Sequence, residues 1–117
     1  MRTGFDKDLR ELLKYKVYVG ISAGSIIMFK TIWASSEYLY SCKKESTPKG
    51  LDYVDFNFRP HYNSKFFPQA IKENLNIVSK QNPCEKIYAM DDNSGLKIVG
   101  DKIEVISEGK WELFDGI

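Results

Sequence analysis

The stretch Val17-Tyr18-Val19-Gly20-Ile21-Ser22-Ala23-Gly24-Ser25 decides how the rest of this chain is read. Residues 17–21 carry no charge and place β-branched side chains at alternate positions, the pattern of a strand covered on both faces. Residues 23–34 then present Ile26, Ile27, Phe29, Ile32 and Trp33 as one wide apolar helix face. A strand that feeds straight into a helix is an α/β signature, and the glycine-flanked serine between them matches the nucleophile-elbow pattern G-x-S-x-G. The turn is so tight that side chains two positions either side of the serine would clash, so Gly20 and Gly24 are expected there, with Ser22 lifted clear of the sheet. The backbone N–H of Ala23, at the start of the helix, is the expected oxyanion donor.

A serine hydroxyl is a weak nucleophile until a base takes its proton, and histidine is the usual base near neutral pH. The chain holds one histidine, His61, in Phe58-Arg59-Pro60-His61-Tyr62-Asn63. It lies just past a strand expected over residues 54–58, and strand C-terminal ends are where α/β proteins build sites. The third member of such a system is a carboxylate that fixes the imidazole tautomer. Between Ser22 and His61 the candidates are Glu37, Asp52 and Asp55.

Outward from this centre, Phe5, Leu9, Leu12 and Leu13 recur at helical spacing and predict an amphipathic helix over residues 6–15. A strand is expected at 37–41, followed by a lysine-rich Ser/Thr/Pro/Gly loop. Phe67, Ala70, Ile71, Leu75 and Val78 predict a helix over 66–80, with Pro68 in its first turn. Four short apolar runs separated by turn residues, from Lys86 to Phe114, read as a β-meander.

At 117 residues the chain has room for one core, and we read it as a single domain over 1–117. Hydrophobic content of 43% and charged content of 28% argue against disorder. A net charge of +1 creates no field that would draw in nucleic acid or anionic lipid, so neither partner is expected. The start of the chain has no signal-peptide pattern and no apolar run reaches membrane-spanning length, so a cytoplasmic protein is expected. Cys42 and Cys84 stand apart from each other and from His61, which predicts reduced thiols and no metal site.

Three blocks carry a resemblance to a known family: residues 18–25, residues 55–63, and Ile87-Tyr88-Ala89-Met90-Asp91-Asp92-Asn93-Ser94. In order and spacing they resemble the dipeptidase E and cyanophycinase family of serine peptidases. The resemblance implies a class I glutamine-amidotransferase-like, flavodoxin-like three-layer α/β/α sandwich and hydrolysis through an acyl-enzyme, with no cofactor. It implies Ser22 as nucleophile, His61 as base and, because the family's acid follows the nucleophile by about fifteen residues, Glu37 as the acid. Asp91 and Asp92 fall in the family's D-D-N-S stretch, where turn structure and support of the site are expected and no catalytic role. Small peptides, aspartyl peptides among them, are the implied substrates, and Arg59 beside His61 is a candidate partner for a substrate carboxylate or a solvent-facing side chain. The family's leading portion, with its glycine-rich loop and second oxyanion donor, has no counterpart here. This chain is therefore expected to correspond to the carboxyl half, acting with a complementing chain or by self-association, or else as a non-enzymatic interaction module.

Overall fold

Two neighbouring strands that run in the same direction position everything else in this protein. In the computed structural model, which describes residues 3–32 and 49–116, the strand β1, Asn57–Arg59, pairs in parallel with β2, Ile87–Met90, in the register Asn57 to Ile87 and Arg59 to Ala89. A parallel pair needs a crossover. The crossover is a loop over residues 60–71 followed by a helix, Lys72–Gln81, after two earlier helices α1 (Phe5–Leu12) and α2 (Ala23–Ile26); we label this third helix α3. The last strand, β5 (Trp111–Phe114), joins β2 on its other side in antiparallel fashion, giving the order β1-β2-β5. Between β2 and β5 the chain makes a separate antiparallel hairpin of β3 (Ser94–Val99) and β4 (Lys102–Ser107).

That pairing corrects the expected meander, in which each strand would pair with the next. The turn after β2 is held by Asp91 rather than closed by a two-residue hairpin loop, so β3 leaves the sheet and β5 returns to fill its place. Two strands of the three-stranded sheet are buried: every residue of β1, and Ile87, Ala89 and Met90 of β2, lie in the interior, whereas β5 is exposed at Trp111 and Leu113. One core cluster gathers Tyr62, Leu75, Val78, Ile87, Ala89 and Phe114 on the α3 side. A second gathers Phe29, Phe56, Phe58 and Met90, with Phe29 stacked on Phe58 at 5.1 Å and tilted against Phe56 at 5.2 Å. Leu96, Ile98 and Val105 of the hairpin pack against this second cluster.

Three expected elements differ in extent. The helix expected over 23–34 is regular only from Ala23 to Ile26; beyond it the Met28 and Phe29 N–H groups donate three residues back and the Lys30 N–H turns away to the Phe56 carbonyl. The helix expected from residue 66 starts at Lys72, because the Ala70 carbonyl, which a helix would offer to residue 74, accepts from the Asn63 N–H instead, and Ile71 is extended. Residues 16–22, expected as a covered strand, have no ladder partner among the described residues, and Val17, Val19 and Ile21 are 89%, 79% and 81% exposed. The strand expected at 37–41, Trp33 and Cys42 lie outside the described residues.

A buried amide ties the segment after α2 to the sheet. Asn57 is fully buried on β1; its Oδ1 accepts the Thr31 N–H at 3.0 Å and the Thr31 hydroxyl at 2.7 Å, and its Nδ2 donates to Glu85 at 2.8 Å. Asn57→Ala would strand the Thr31 donors in a dry site, each unmade bond costing about 1–3 kcal/mol. Urea unfolding should show a loss of about 2–4 kcal/mol for Asn57→Ala with an unchanged slope, and a loss below about 0.5 kcal/mol would mean water reaches these groups.

Candidate active site

Ser22 stands between the extended segment 16–22 and helix α2 with φ 53° and ψ −118°, a conformation that side chains beyond glycine rarely adopt. Such strain of about 1–3 kcal/mol persists only where the surroundings impose it. Here the chain closes so tightly that a Cβ on Gly20 would lie 2.6 Å from the Gly24 carbonyl oxygen and 2.9 Å from the Ser25 Cα, both backbone atoms. The requirement is one-sided, because a Cβ on Gly24 would meet only the Tyr18 hydroxyl at an ordinary 3.5 Å. Gly24 serves the turn through its carbonyl, which accepts the Tyr18 hydroxyl at 2.6 Å. Ala23 opens α2, so its N–H has no helical carbonyl four residues earlier to bond.

His61 reaches this serine from the other side. It lies two residues beyond the end of β1, in the left-handed region with φ 61°, and Asn63 shares that conformation. The residue between them is an anchor. The Tyr62 N–H donates to the Met90 carbonyl at 2.9 Å, its ring sits in the α3-side core, and its hydroxyl donates to Glu112 at 2.8 Å. Burial, and then the Glu112 carboxylate it bonds, push the Tyr62 phenol well above its ordinary value, while hydrogen bonds from Lys72 and Tyr62 hold Glu112 below the usual carboxylate range.

The imidazole has three defined contacts. Nε2 is 2.9 Å from Ser22 Oγ, Nδ1 is 2.6 Å from Asp92 Oδ1, and the Phe67 ring lies flat on its face with centroids 4.1 Å apart and planes 7° from parallel. An ionised carboxylate only accepts, so the Asp92 contact assigns the proton to Nδ1 and leaves the Nε2 lone pair facing the serine hydroxyl. His61 is 22% exposed and Asp92 59% exposed.

Asp92 comes within reach for the same topological reason as His61. It lies two residues beyond the end of β2, and because β1 and β2 are parallel, both residues emerge at the same edge of the sheet. Its turn is fixed by Asp91, whose Oδ1 accepts the Ser94 hydroxyl at 2.7 Å and the Asn93 N–H at 3.0 Å, and whose Oδ2 accepts the Lys110 N–H at 2.6 Å. Gly109 passes so close to this carboxylate that any Cβ there would collide with it.

Of the expected site residues, Ser22 and His61 are brought together, with Ala23 beside the serine, and Glu37 lies outside the described residues. Asp55 pairs with Lys30 at 2.9 Å, and neither Asp55 nor Asp52 is among the polar contacts of the imidazole. Asp92, expected to shape a turn and support the site without a catalytic role, is the carboxylate on Nδ1. Equal offsets from two parallel strand ends would have pointed to it, had β1 and β2 been recognised as neighbours. Arg59 does not face solvent: it is 2% exposed on β1. Phe67, counted among the apolar helix positions, instead covers the imidazole. A recess of about 190 Å³ lined by α3 and the end of β5 includes none of these residues. Among the described residues no group of His, Cys, Asp and Glu is arranged to hold a metal ion, and no helix is long and apolar enough to cross a membrane.

Comparison with known proteins shows the family. The family model described as peptidase family S51 matches residues 1–106. An uncharacterised peptidase of Listeria monocytogenes is 32% identical over 106 residues, covering 87% of this chain and 50% of its own length. The crystal structure of a Listeria monocytogenes EGD-e protein named as a peptidase E superposes with a TM-score of 0.64 at 28% identity, over 92% of this chain and 52% of that one. The chain thus spans about half the length of both relatives.

The Asp91 turn gives a pH signature. Desolvation raises the Asp91 carboxyl, but the hydrogen bonds from Ser94, Lys110 and Asn93 outweigh it and hold the group below its ordinary value. A depressed carboxyl adds stability that is fully present above its unfolded value of ~4 and is lost as pH falls through the folded value. Asp91→Asn should therefore lower the urea midpoint at pH 7, with the gap to the parent protein narrowing toward pH 3. A gap that is constant with pH would show that the carboxylate charge has no part in holding the turn.

Proposed function

The chain belongs to peptidase family S51, and from that premise we propose that it cleaves peptide bonds as a serine peptidase of dipeptidase E type, through an acyl-enzyme on Ser22. The observation that carries this reading is the continuous line of contacts from Ser22 Oγ through His61 to Asp92, at 2.9 and 2.6 Å. Ser22 Oγ attacks the scissile carbonyl carbon as its proton passes to Nε2. The oxyanion that forms faces the Ala23 N–H, and Asp92 stabilises the imidazolium. The intermediate collapses as His61 returns the proton to the departing amine, breaking the C–N bond. Water then attacks the ester carbonyl as His61 accepts its proton, and the C–Oγ bond breaks as that proton passes to Ser22 Oγ, releasing the acid product. Small peptides are the proposed substrates, aspartyl peptides among them.

The three-layer sandwich of the family requires more strands than the described residues supply. We assign the open face of Val17, Val19 and Ile21 to pairing with a segment, on the same or another polypeptide, that corresponds to the half of the relatives this sequence does not match. That segment would also bring a second oxyanion donor, whose absence typically costs ~10²–10³ in turnover.

Five substitutions test the reading. A fluorophosphonate should label the protein at Ser22 and not label Ser22→Ala; equal labelling of the two would overturn the assignment. Asp92→Asn should lower turnover by on the order of 10²–10⁴, since the wrong tautomer turns an N–H toward the serine. Glu37→Gln should cost far less, and the reverse ranking would move the acid to Glu37. Gly20→Ala forces the elbow open and should abolish labelling, while the more spacious Gly24→Ala should retain it; equal labelling of both would show that the turn tolerates a Cβ at position 20.

A further inference from the structure

The loop that presents His61 is closed on itself. The Asn63 N–H donates to the Ala70 carbonyl at 2.7 Å across its neck, and inside it the Ser64 N–H donates to the His61 carbonyl at 3.0 Å, the Phe67 N–H to the Ser64 carbonyl at 3.1 Å and the Ala70 N–H to the Phe67 carbonyl at 2.9 Å. Ala70 is completely buried and plugs the neck against the protein. Both backbone polar groups of Phe67 are thereby used, and its place in the loop is set. Its ring belongs to neither core cluster and instead lies against the imidazole, whereas neighbouring Phe66 is 76% exposed.

We propose that Phe67 is a positioning residue for His61, holding the imidazole plane in which Nε2 meets Ser22 and Nδ1 meets Asp92 at once. The proposal rests on the catalytic reading of that pair given above. The hydrogen bonds alone do not hold this plane firmly, because water competes for a carboxylate that is 59% exposed. A flat ring at 4.1 Å does: tilting the imidazole about its Cβ–Cγ bond drives one edge into the phenyl face. The same face is electron-rich, so it favours the imidazolium that forms when His61 takes the serine proton. Leucine fills a similar volume without a flat face, whereas tyrosine keeps the face, so the two variants separate orientation from filling space.

His61 is the only histidine in the chain, so its ring signals are unambiguous by NMR. In the parent protein they should show an upfield ring-current shift and a single tautomer protonated at Nδ1. Phe67→Leu should lose the shift, show mixed tautomers, and lower the maximal rate at which a fluorophosphonate phosphonylates Ser22, with loss of fluoride, about tenfold with little change in half-saturating concentration. Phe67→Tyr should restore both within about twofold. Should Phe67→Leu fail to fold by circular dichroism, Phe67→Met takes its place as the non-aromatic variant. A folded leucine or methionine variant that keeps one tautomer and the parent phosphonylation rate overturns the proposal, as does a tyrosine variant no better than leucine. If no variant and not even the parent protein is phosphonylated, the catalytic reading fails, and the tautomer spectra still decide the role of Phe67.

Discussion

The fold depends on one buried amide. Asn57 sits where β1, the segment after α2 and the residues leading into β2 converge, and each offers polar backbone or side-chain groups that the aromatic cluster around Phe29 and Phe58 cannot satisfy. A side chain with both an acceptor and a donor, at a position with no access to water, resolves all of them at once. An aliphatic residue would pack as well and leave the Thr31 donors without partners. An aspartate would accept from Thr31 but set its charge against Glu85. Because α2 leads directly into Thr31, the amide also sets where the elbow stands against the sheet.

Ser22 and His61 are both held in backbone conformations that their residue types avoid, and the means differ. At Ser22 the constraint is steric, since the chain before the serine touches the chain after it and only a missing Cβ at Gly20 permits the approach. At His61 the constraint is anchorage, since Tyr62 is tied by its N–H, its ring and its hydroxyl to three different parts of the structure. Conformational strain of this kind persists because the packing nearby is rigid, and it leaves the two side chains little freedom to move apart.

How far this could be read from the residues follows the range of the interactions. The elbow is local: five consecutive residues carry both its pattern and its cause, so Ser22 stood out. His61 was found by being the sole histidine after a strand. Asp92 was not, because its approach depends on a parallel pairing between strands separated by a loop and a helix, and a run of Asp-Asp-Asn-Ser reads equally well as a turn. Residues 66–71 were mistaken for helix because Pro68 is compatible with a first turn; what removes them is a single long-range claim on the Ala70 carbonyl. The alternation at 17–21 was visible, but no described residue pairs with it, and Val17, Val19 and Ile21 stand exposed.

The three groups in line at the site lie far apart along the chain, with 39 positions between Ser22 and His61 and 31 between His61 and Asp92. Contacts of such sequence separation close late, after local helices and the hairpin have formed, because the loop entropy is spent before the contact returns anything. A chain emerging from synthesis therefore holds Ser22 apart from His61 and Asp92 until β1 and β2 are paired. The line of contacts is a property of the finished topology, absent from every shorter stretch of the chain that contains the serine.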